Sequence, residues 1–342
     1  MSNRTVAAGY TRALLDYAVL RGADRQTLIE ISGIAPGELS DPDNRVPLKN
    51  CAKLMKAGVS LCGDPAFALR FGETVRTEDL GVALLIAGVA GTVGEARSLV
   101  NRNARLIRDD DDDTRSNFLE VVRDLRGAWF QFRGGNDADN QYFVEAGFAW
   151  CIRETRKMLE VYFAGRPFLK AIHFIHDQPS YRNEYDRVFA APLVFASDRN
   201  AMLVDEDFLS LPMPGSNPYV AHVLNRHAEV LLQRLENSKT VRGRVEGLLI
   251  PSLGTGDISM AAIACKMGVS RQTLFRKLRS EGVTFEKVVD NLRREMAIHY
   301  LNEGGTSVSE TATLLGFSEP AAFSRAFKRW TGSSPRRASG RL

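Results

Sequence analysis

Seven residues, Ala264-Cys265-Lys266-Met267-Gly268-Val269-Ser270, recur 48 positions later as Ala312-Thr313-Leu314-Leu315-Gly316-Phe317-Ser318. Each copy predicts a short helix, a tight turn and a second helix, which is the helix-turn-helix arrangement. The residue types follow from the geometry. Two helices crossing closely leave room for a small side chain only, and Ala264 and Ala312 supply it. The turn needs a backbone conformation that glycine adopts most cheaply, hence Gly268 and Gly316. The next helix needs an oxygen at its N-cap, hence Ser270 and Ser318. Ser307 and Glu310 form the pattern of a capping box at the start of the second unit. A single Ala-x-x-x-Gly is common in helical proteins, but two in one register are restrictive. They confine the last hundred residues to an all-α domain with two helix-turn-helix units joined by a connecting helix. The competing reading is a helical repeat that packs without touching DNA.

Charge follows the same division. From Val241 to Leu342 there are 16 Lys/Arg against 9 Asp/Glu, whereas the preceding 240 residues carry 29 against 32. A basic third on a slightly acidic body points to a polyanion-binding module attached to something else. Surface charge without function would look the same on charge alone.

The remaining chain is long enough for a domain of its own. Helical spacing is visible over Val6 to Ala23, Leu48 to Leu61 and Gly94 to Ile107, with turn material at Asp41-Pro42-Asp43-Asn44. Asp64-Pro65 can start a further helix. Short β-prone runs follow at Phe118 to Val122, Trp129 to Phe132, Leu169 to Ile175, Leu193 to Phe195 and Ala201 to Val204. Phe143 to Tyr162 reads as a helix among them, and Asp198-Arg199-Asn200 as the turn between the last two strands. Helices with few, mixed strands predict an α+β fold. Asn217 to Leu235 places Val220, Val223, Leu224, His227, Val230, Leu231 and Leu235 on one helical face. That face is either a dimer seam or packs on its own domain. The expected organisation is therefore an effector-sensing or dimerisation domain over 1–217, a helical linker over 218–245 and a DNA-binding domain over 246–342. A small-molecule pocket is expected between the strands and helices of the first domain, from its size, its mixed pattern and its aromatic residues between Phe118 and Phe195.

Leu315-Gly-Phe-Ser-Glu-Pro-Ala-Ala-Phe-Ser-Arg-Ala-Phe-Lys-Arg-Trp-Thr-Gly-Ser-Ser-Pro335 resembles the signature of the AraC/XylS transcription regulators. Gly268 to Leu278 resembles that family's other recognition helix, and Asn291 to Leu301 its connecting helix. The likeness covers about Leu248 to Arg337. It departs at the end, where Arg336-Arg337-Ala338 stands in place of a frequent Tyr-Arg pair. Asp64 to Gly72, Thr92 to Ala96 and Pro179 to Tyr185 are similar to the arabinose-binding-type sensor domain of one branch of the family. The resemblance implies a sequence-specific regulator of transcription, expected to be an activator, and the scattered cysteines with no signal-peptide apolar core point to a reduced, cytoplasmic setting. The resemblance also implies RNA polymerase as a partner; the other partners expected are double-stranded promoter DNA, an unknown small-molecule effector and, if the body dimerises, a second copy as a homodimer.

Helical spacing sorts the residues of each recognition helix. In the first, Leu274 and Leu278 face the core, leaving Arg271, Gln272, Phe275, Arg276 and Arg279 outward. Arg276 can donate twice to guanine and Gln272 can pair with adenine. Phe275 either covers a thymine methyl or packs between the two units. In the second, Phe323 and Phe327 face the core, with Pro320, Ala321, Ser324, Arg325 and Lys328 outward. That face has few hydrogen-bonding groups, so phosphate and methyl contacts are expected to dominate. Arg329, Arg336 and Arg337 read as phosphate or surface charges. A rigid connecting helix would set the two recognition helices in successive major grooves, ~34 Å apart.

Other chemistries are weaker. Asp109 to Asp113 reads as a solvated loop tip rather than a metal site. His173 and His176 are spaced to face opposite sides of a strand. Arg21 and Arg25 lack the downstream partner motif of a cyclic-dinucleotide site, and Gly254-Thr255-Gly256 lacks the Lys-Ser/Thr of a phosphate loop. The apolar run Leu80 to Gly94 is 15 residues with four glycines, short of the ~20 that span a membrane. No membrane partner, cofactor or metal is expected. The four cysteines, Cys51, Cys62, Cys151 and Cys265, form no Cys-x-x-Cys pair. Enzyme activity is not expected. The alternatives kept are a dimerising regulator without a ligand and a DNA-repair methyl acceptor using Cys151, although Cys151 lacks the Pro-Cys-His setting such nucleophiles have.

Overall fold

The structure is a computed structural model describing residues 4–109, 119–132, 138–163, 168–254, 258–302 and 306–338. The chain divides into two compact units, Met1–Leu232 and Gln233–Leu342. The helix Pro218–Lys239 crosses that division.

Two sheets organise the first unit. Strand β1 (Thr5–Ala7) lies between β2 (Arg45–Pro47) and β3 (Arg108–Asp109), antiparallel to both. The sequence predicts mostly helix in this region. The strands are three residues or fewer, too short for a period-two pattern to be visible. Arg45 ties the sheet together, donating from Nε to Thr5 Oγ1 at 3.1 Å and from Nη2 to the Thr5 carbonyl at 3.0 Å. Burial draws its guanidinium down to about 10. The start of the acidic run belongs to this sheet. Asp109 is 3% exposed and accepts from Arg105 Nε at 3.0 Å, which corrects the expectation of a solvated tip. Asp110 to Asp113 lie outside the described residues.

The second sheet holds β4 (Leu119–Asp124), β5 (Gly127–Phe132), β6 (Leu169–His173), β7 (Leu193–Val194) and β8 (Asn200–Val204) in the order β4-β5-β8-β6-β7. Its pairs are antiparallel except β6 with β7, which is parallel. The segment Asp198-Arg199-Asn200 thus leads from β7 to a strand on the far side of β6. The β4–β5 hairpin turns at Asp124, whose carboxylate accepts from Arg126 N at 2.8 Å and Trp129 Nε1 at 2.9 Å. The Arg126 guanidinium, which also donates to this carboxylate, and then the Trp129 and Arg126 N bonds hold the Asp124 carboxyl down at about 2.

The helix Ala138–Phe163 lies beside this sheet, burying Phe148 and Ile152 with Phe130 and Ile172 in one apolar core. It packs on the helix Phe67–Thr74 so closely that a Cβ on Gly72 would stand 2.3 Å from the Ala146 carbonyl oxygen. Buried Glu145 on the long helix accepts from the Tyr185 hydroxyl at 2.5 Å and the Tyr181 hydroxyl at 2.9 Å. Burial raises its carboxyl above the usual range. His176 Nε2 stands 3.2 Å from the same Tyr185 oxygen, while His173 lies edge-on to Trp129 with its Nδ1 2.9 Å from Ser197 Oγ. The two histidines therefore have separate surroundings. Among the described residues no group of three or more His, Cys, Asp or Glu side chains could hold a metal, and no helix is long and apolar enough to cross a membrane.

In Pro218–Lys239 the buried side chains are Ala228, Leu231 and Leu235, with Leu224 half-buried. Val223 and Val230 were expected on the same face, yet are 47% and 50% exposed. At ~100° per residue they lie more than 100° from the centre of the packed stripe, on the other side of the helix.

The second unit is helical throughout its described residues. One core gathers Val245 and Leu249, Ile263 and Ala264, Leu274 and Leu278, Val288 and Leu292, Ala312, and Phe323 and Phe327. Every α-helix of the unit from Val241–Leu249 to Pro320–Thr331 thus contributes to it.

Candidate nucleic-acid interface and internal cavity

The two repeats fold into matching helix-turn-helix units. In the first, Met260–Lys266 leads through Gly268 (φ 67°) into the recognition helix Arg271–Ser280. In the second, Val308–Leu314 leads through Gly316 (φ 73°) into Pro320–Thr331. The crossing alanines Ala264 and Ala312 are each 1% exposed. Their carbonyls accept from Val269 N at 3.0 Å and Phe317 N at 2.9 Å, closing the two turns alike. The capping box of Ser307 and Glu310 is formed.

The caps of the recognition helices differ. Ser270 accepts from Thr273 N at 3.1 Å. Ser318, expected to do the same, is not the cap: Glu319 is, with no side-chain bond, and Pro320 is the first helical residue. A proline forces the residue before it to extend, and Glu319 does so at φ −139° and ψ 137°. The helix therefore begins one residue later than the repeat alone predicts. Ser270→Ala is expected to destabilise the second unit by about 1 kcal/mol, and Ser318→Ala by a few tenths at most. Urea unfolding of the two variants measures this, and equal losses would restore Ser318 as a cap.

On the first recognition helix Leu274 and Leu278 are buried, while Arg271, Gln272, Phe275, Arg276 and Arg279 are exposed. Phe275 is 51% exposed, so its ring is not enclosed between the units; the Arg279 guanidinium lies 5.9 Å from its centroid. On the second, Phe323 and Phe327 are buried, Pro320, Ala321, Arg325 and Lys328 are exposed, and Ser324 is half-buried. Arg329 pairs with Asp290 of the connecting helix at 3.0 Å.

Two contacts missed in the sequence hold this surface. Arg293 on the connecting helix Phe285–Asn302 donates from Nε to the Leu315 carbonyl at 3.0 Å and lies 4.7 Å from the Phe317 ring centroid. It braces the second turn from behind, and burial lowers its guanidinium below its ordinary value. Glu281, just beyond the first recognition helix, accepts from Val241 N at 2.7 Å and Arg242 N at 2.9 Å. A carboxylate on the exposed amides of a helix N-terminus is stabilising, and here it joins that helix to the reading helix.

The first unit contains a cavity of about 290 Å³, at the lower edge of the ~300–1,000 Å³ usual for small-molecule sites. Helices and strands of both sheets wall it, with Leu84, Val100, Phe130, Phe143, Met202 and Phe208 typical of its surface. Tyr10, Arg97 and Trp150 also line it. These three belong to no motif visible in the sequence. Cys151 lines it too, and burial pushes its thiol up to about 11, opposite to what a nucleophile needs.

Residues 22–213 match the arabinose-binding domain of AraC transcription regulators, and residues 263–341 match a helix-turn-helix domain. The ornithine utilization regulator of Pseudomonas aeruginosa is 26% identical over 337 residues, covering 96% of this chain and 95% of that protein. The transcriptional regulator VirS of Mycobacterium tuberculosis is 24% identical over 330 residues, covering 96% and 93%. The transcriptional regulator SirC of Salmonella typhimurium is 36% identical over 90 residues, covering 26% of this chain and 30% of that protein. These relatives are regulators and the family is not enzymatic. An arabinose-binding-type domain of mixed α and β structure, followed by a helical DNA-binding domain with paired helix-turn-helix units, makes this chain a member of the AraC family of transcription regulators.

Proposed function

We propose that this regulator is an activator controlled by a small molecule held in the cavity of its first unit. The cavity is the observation that carries the reading. A body that only dimerised would gain stability by filling such a space, since unfilled apolar volume is destabilising. Ligand would then shift an equilibrium between two states of the regulator, which requires that it prefer one of them. The domains are assigned as effector-sensing over 1–217, linking over 218–245 and DNA-binding over 246–342, and the setting is cytoplasmic.

On DNA, Arg276 and Gln272 read base edges, and Phe275 covers a thymine methyl. Arg271, Arg279, Arg325, Lys328 and Arg329 meet phosphates, while Pro320, Ala321 and Ser324 lie against the groove. Among the described residues Arg271, Arg276 and Arg325 have no ion-pair partner, which supports their being available to DNA. RNA polymerase is the partner that an activator at a promoter would contact.

A second reading is a body that dimerises without a ligand. It is favoured by Tyr219, Val223 and Val230, exposed by 77%, 47% and 50% along one side of a helix. Comparing the full chain with a fragment beginning at Ser238 separates the two. Activation by the full chain is expected to vary with growth condition, and activation by the fragment to be constant. A full chain equally insensitive to every condition, with only its self-association lost on truncation, would favour the second reading.

A further inference from the structure

The cavity has an uneven polarity. Its wall is nearly all aliphatic and aromatic, yet three of its residues each carry a buried side-chain atom with no hydrogen-bond partner among the described residues: Tyr10 Oη, Arg97 Nε and Trp150 Nε1. They come from three helices, Ala8–Leu20, Val93–Arg102 and Ala138–Phe163. All three can donate. The indole and guanidinium nitrogens donate only. Burial raises the Tyr10 hydroxyl well above its ordinary value, so it stays protonated. Buried donors are almost always paired in folded proteins, so three unpaired around one cavity call for an acceptor from outside the chain.

Charge narrows the choice. Other charged residues of the wall are already engaged: Arg108 donates to Asn140 Oδ1 at 3.0 Å, and Glu154 pairs with Arg153 at 2.7 Å and Lys157 at 3.2 Å. Arg97 has no ion-pair partner among the described residues. A guanidinium at the edge of an apolar chamber is best matched by a carboxylate, which takes two parallel N–H bonds.

The long helix also keeps the chamber open. Gly147 lies on its wall between Phe143 and Trp150, and a Cβ there would meet nothing within 4 Å. Glycine within a helix is unfavourable, and no close contact requires it here. The missing side chain is space that a ligand can occupy.

We propose that the cavity binds an amphipathic carboxylic acid, an apolar body with one acidic head, the head meeting Arg97 with Tyr10 and Trp150 as further donors. At ~30 Å³ for a water-sized group, the volume suits a body of roughly ten such groups. This rests on the effector reading above and names its ligand class.

The test uses the full chain, with decanoate and 4-phenylbutanoate as acids and decan-1-ol as the neutral counterpart. Calorimetry and thermal melting are expected to show both acids binding at least tenfold more tightly than the alcohol. Arg97→Gln should remove that preference while leaving alcohol binding unchanged, and Arg97→Lys should restore part of it. Gly147→Leu should stay folded, melt no lower than the parent and bind none of the three. If the alcohol binds as tightly as the acids, or Arg97→Gln leaves the preference intact, the ligand class is wrong and the effector reading stands. If none of the three binds and Gly147→Leu regulates normally in cells, both fail. If none binds but Gly147→Leu abolishes regulation, only the ligand class is overturned.

Discussion

Gly316→Ala is expected to remove roughly 3 kcal/mol or more from the stability of the second unit, whereas Gly268→Ala should remove only ~1–2 kcal/mol. The two glycines occupy the same place in the repeat and have nearly the same backbone, φ 73° and 67°. Both substitutions therefore meet the left-handed penalty of an L-residue. Only Gly316 has a second constraint, because a Cβ there would stand 2.0 Å from the Leu253 carbonyl oxygen, whereas at Gly268 it would meet nothing within 4 Å. A backbone atom cannot swing aside as a side chain can, so the second turn must move. The same turn carries the Leu315 carbonyl that Arg293 holds, and that bond would strain with it. Urea unfolding, read on the transition of the second unit, gives the two losses. Equal losses would mean that the Leu253 contact relaxes freely and the left-handed backbone is the whole cost.

Arg276→Ala is expected to weaken binding to the cognate site by ~1–3 kcal/mol, or about 5- to 150-fold, and to flatten preference at one base pair. Lys328→Ala should weaken cognate and random DNA alike and lower the slope of log affinity against log salt by about 0.9. The contrast comes from placement. Both side chains are exposed, but the first recognition helix presents Gln272 beside Arg276, while the second presents Pro320, Ala321 and a half-buried Ser324 near its start. Gel shifts across a salt series on a site selected from random DNA would measure both. Arg276→Ala weakening specific and random DNA by one factor would make Arg276 a phosphate contact.

The DNA-binding domain was legible because its signals are local. A small residue, a glycine and a cap within seven positions determine a turn, and their repetition determines two. Ser318 shows where that logic ends: Pro320 overrides the cap by shaping the residue before it. The strands β4, β5, β6 and β8 were readable from their apolar runs. The sheet of β1, β2 and β3 was not, since β1 pairs Thr5 with Pro47 and Asp109, residues far apart in the chain. Asp109 was misjudged for the same reason. Its acidic neighbours in sequence suggested solvent, but Arg105 and the sheet decide its burial. The cavity was expected in kind only. Tyr10, Arg97 and Trp150 are separated by up to 140 residues, and none is unusual in its own segment.

The connecting helix Phe285–Asn302 has 18 residues, about 27 Å of rise. Adding or removing one residue would turn the second reading head by ~100° relative to the first, and only steps near a full turn would keep both facing the same way. Regulators built on this plan can drift in which bases they prefer by changing single outward side chains. They cannot drift in the interval between the two halves of a target. A promoter that gains one base pair inside its site has no compensating neighbour in protein sequence space, so operator length should be inherited more faithfully than operator letters.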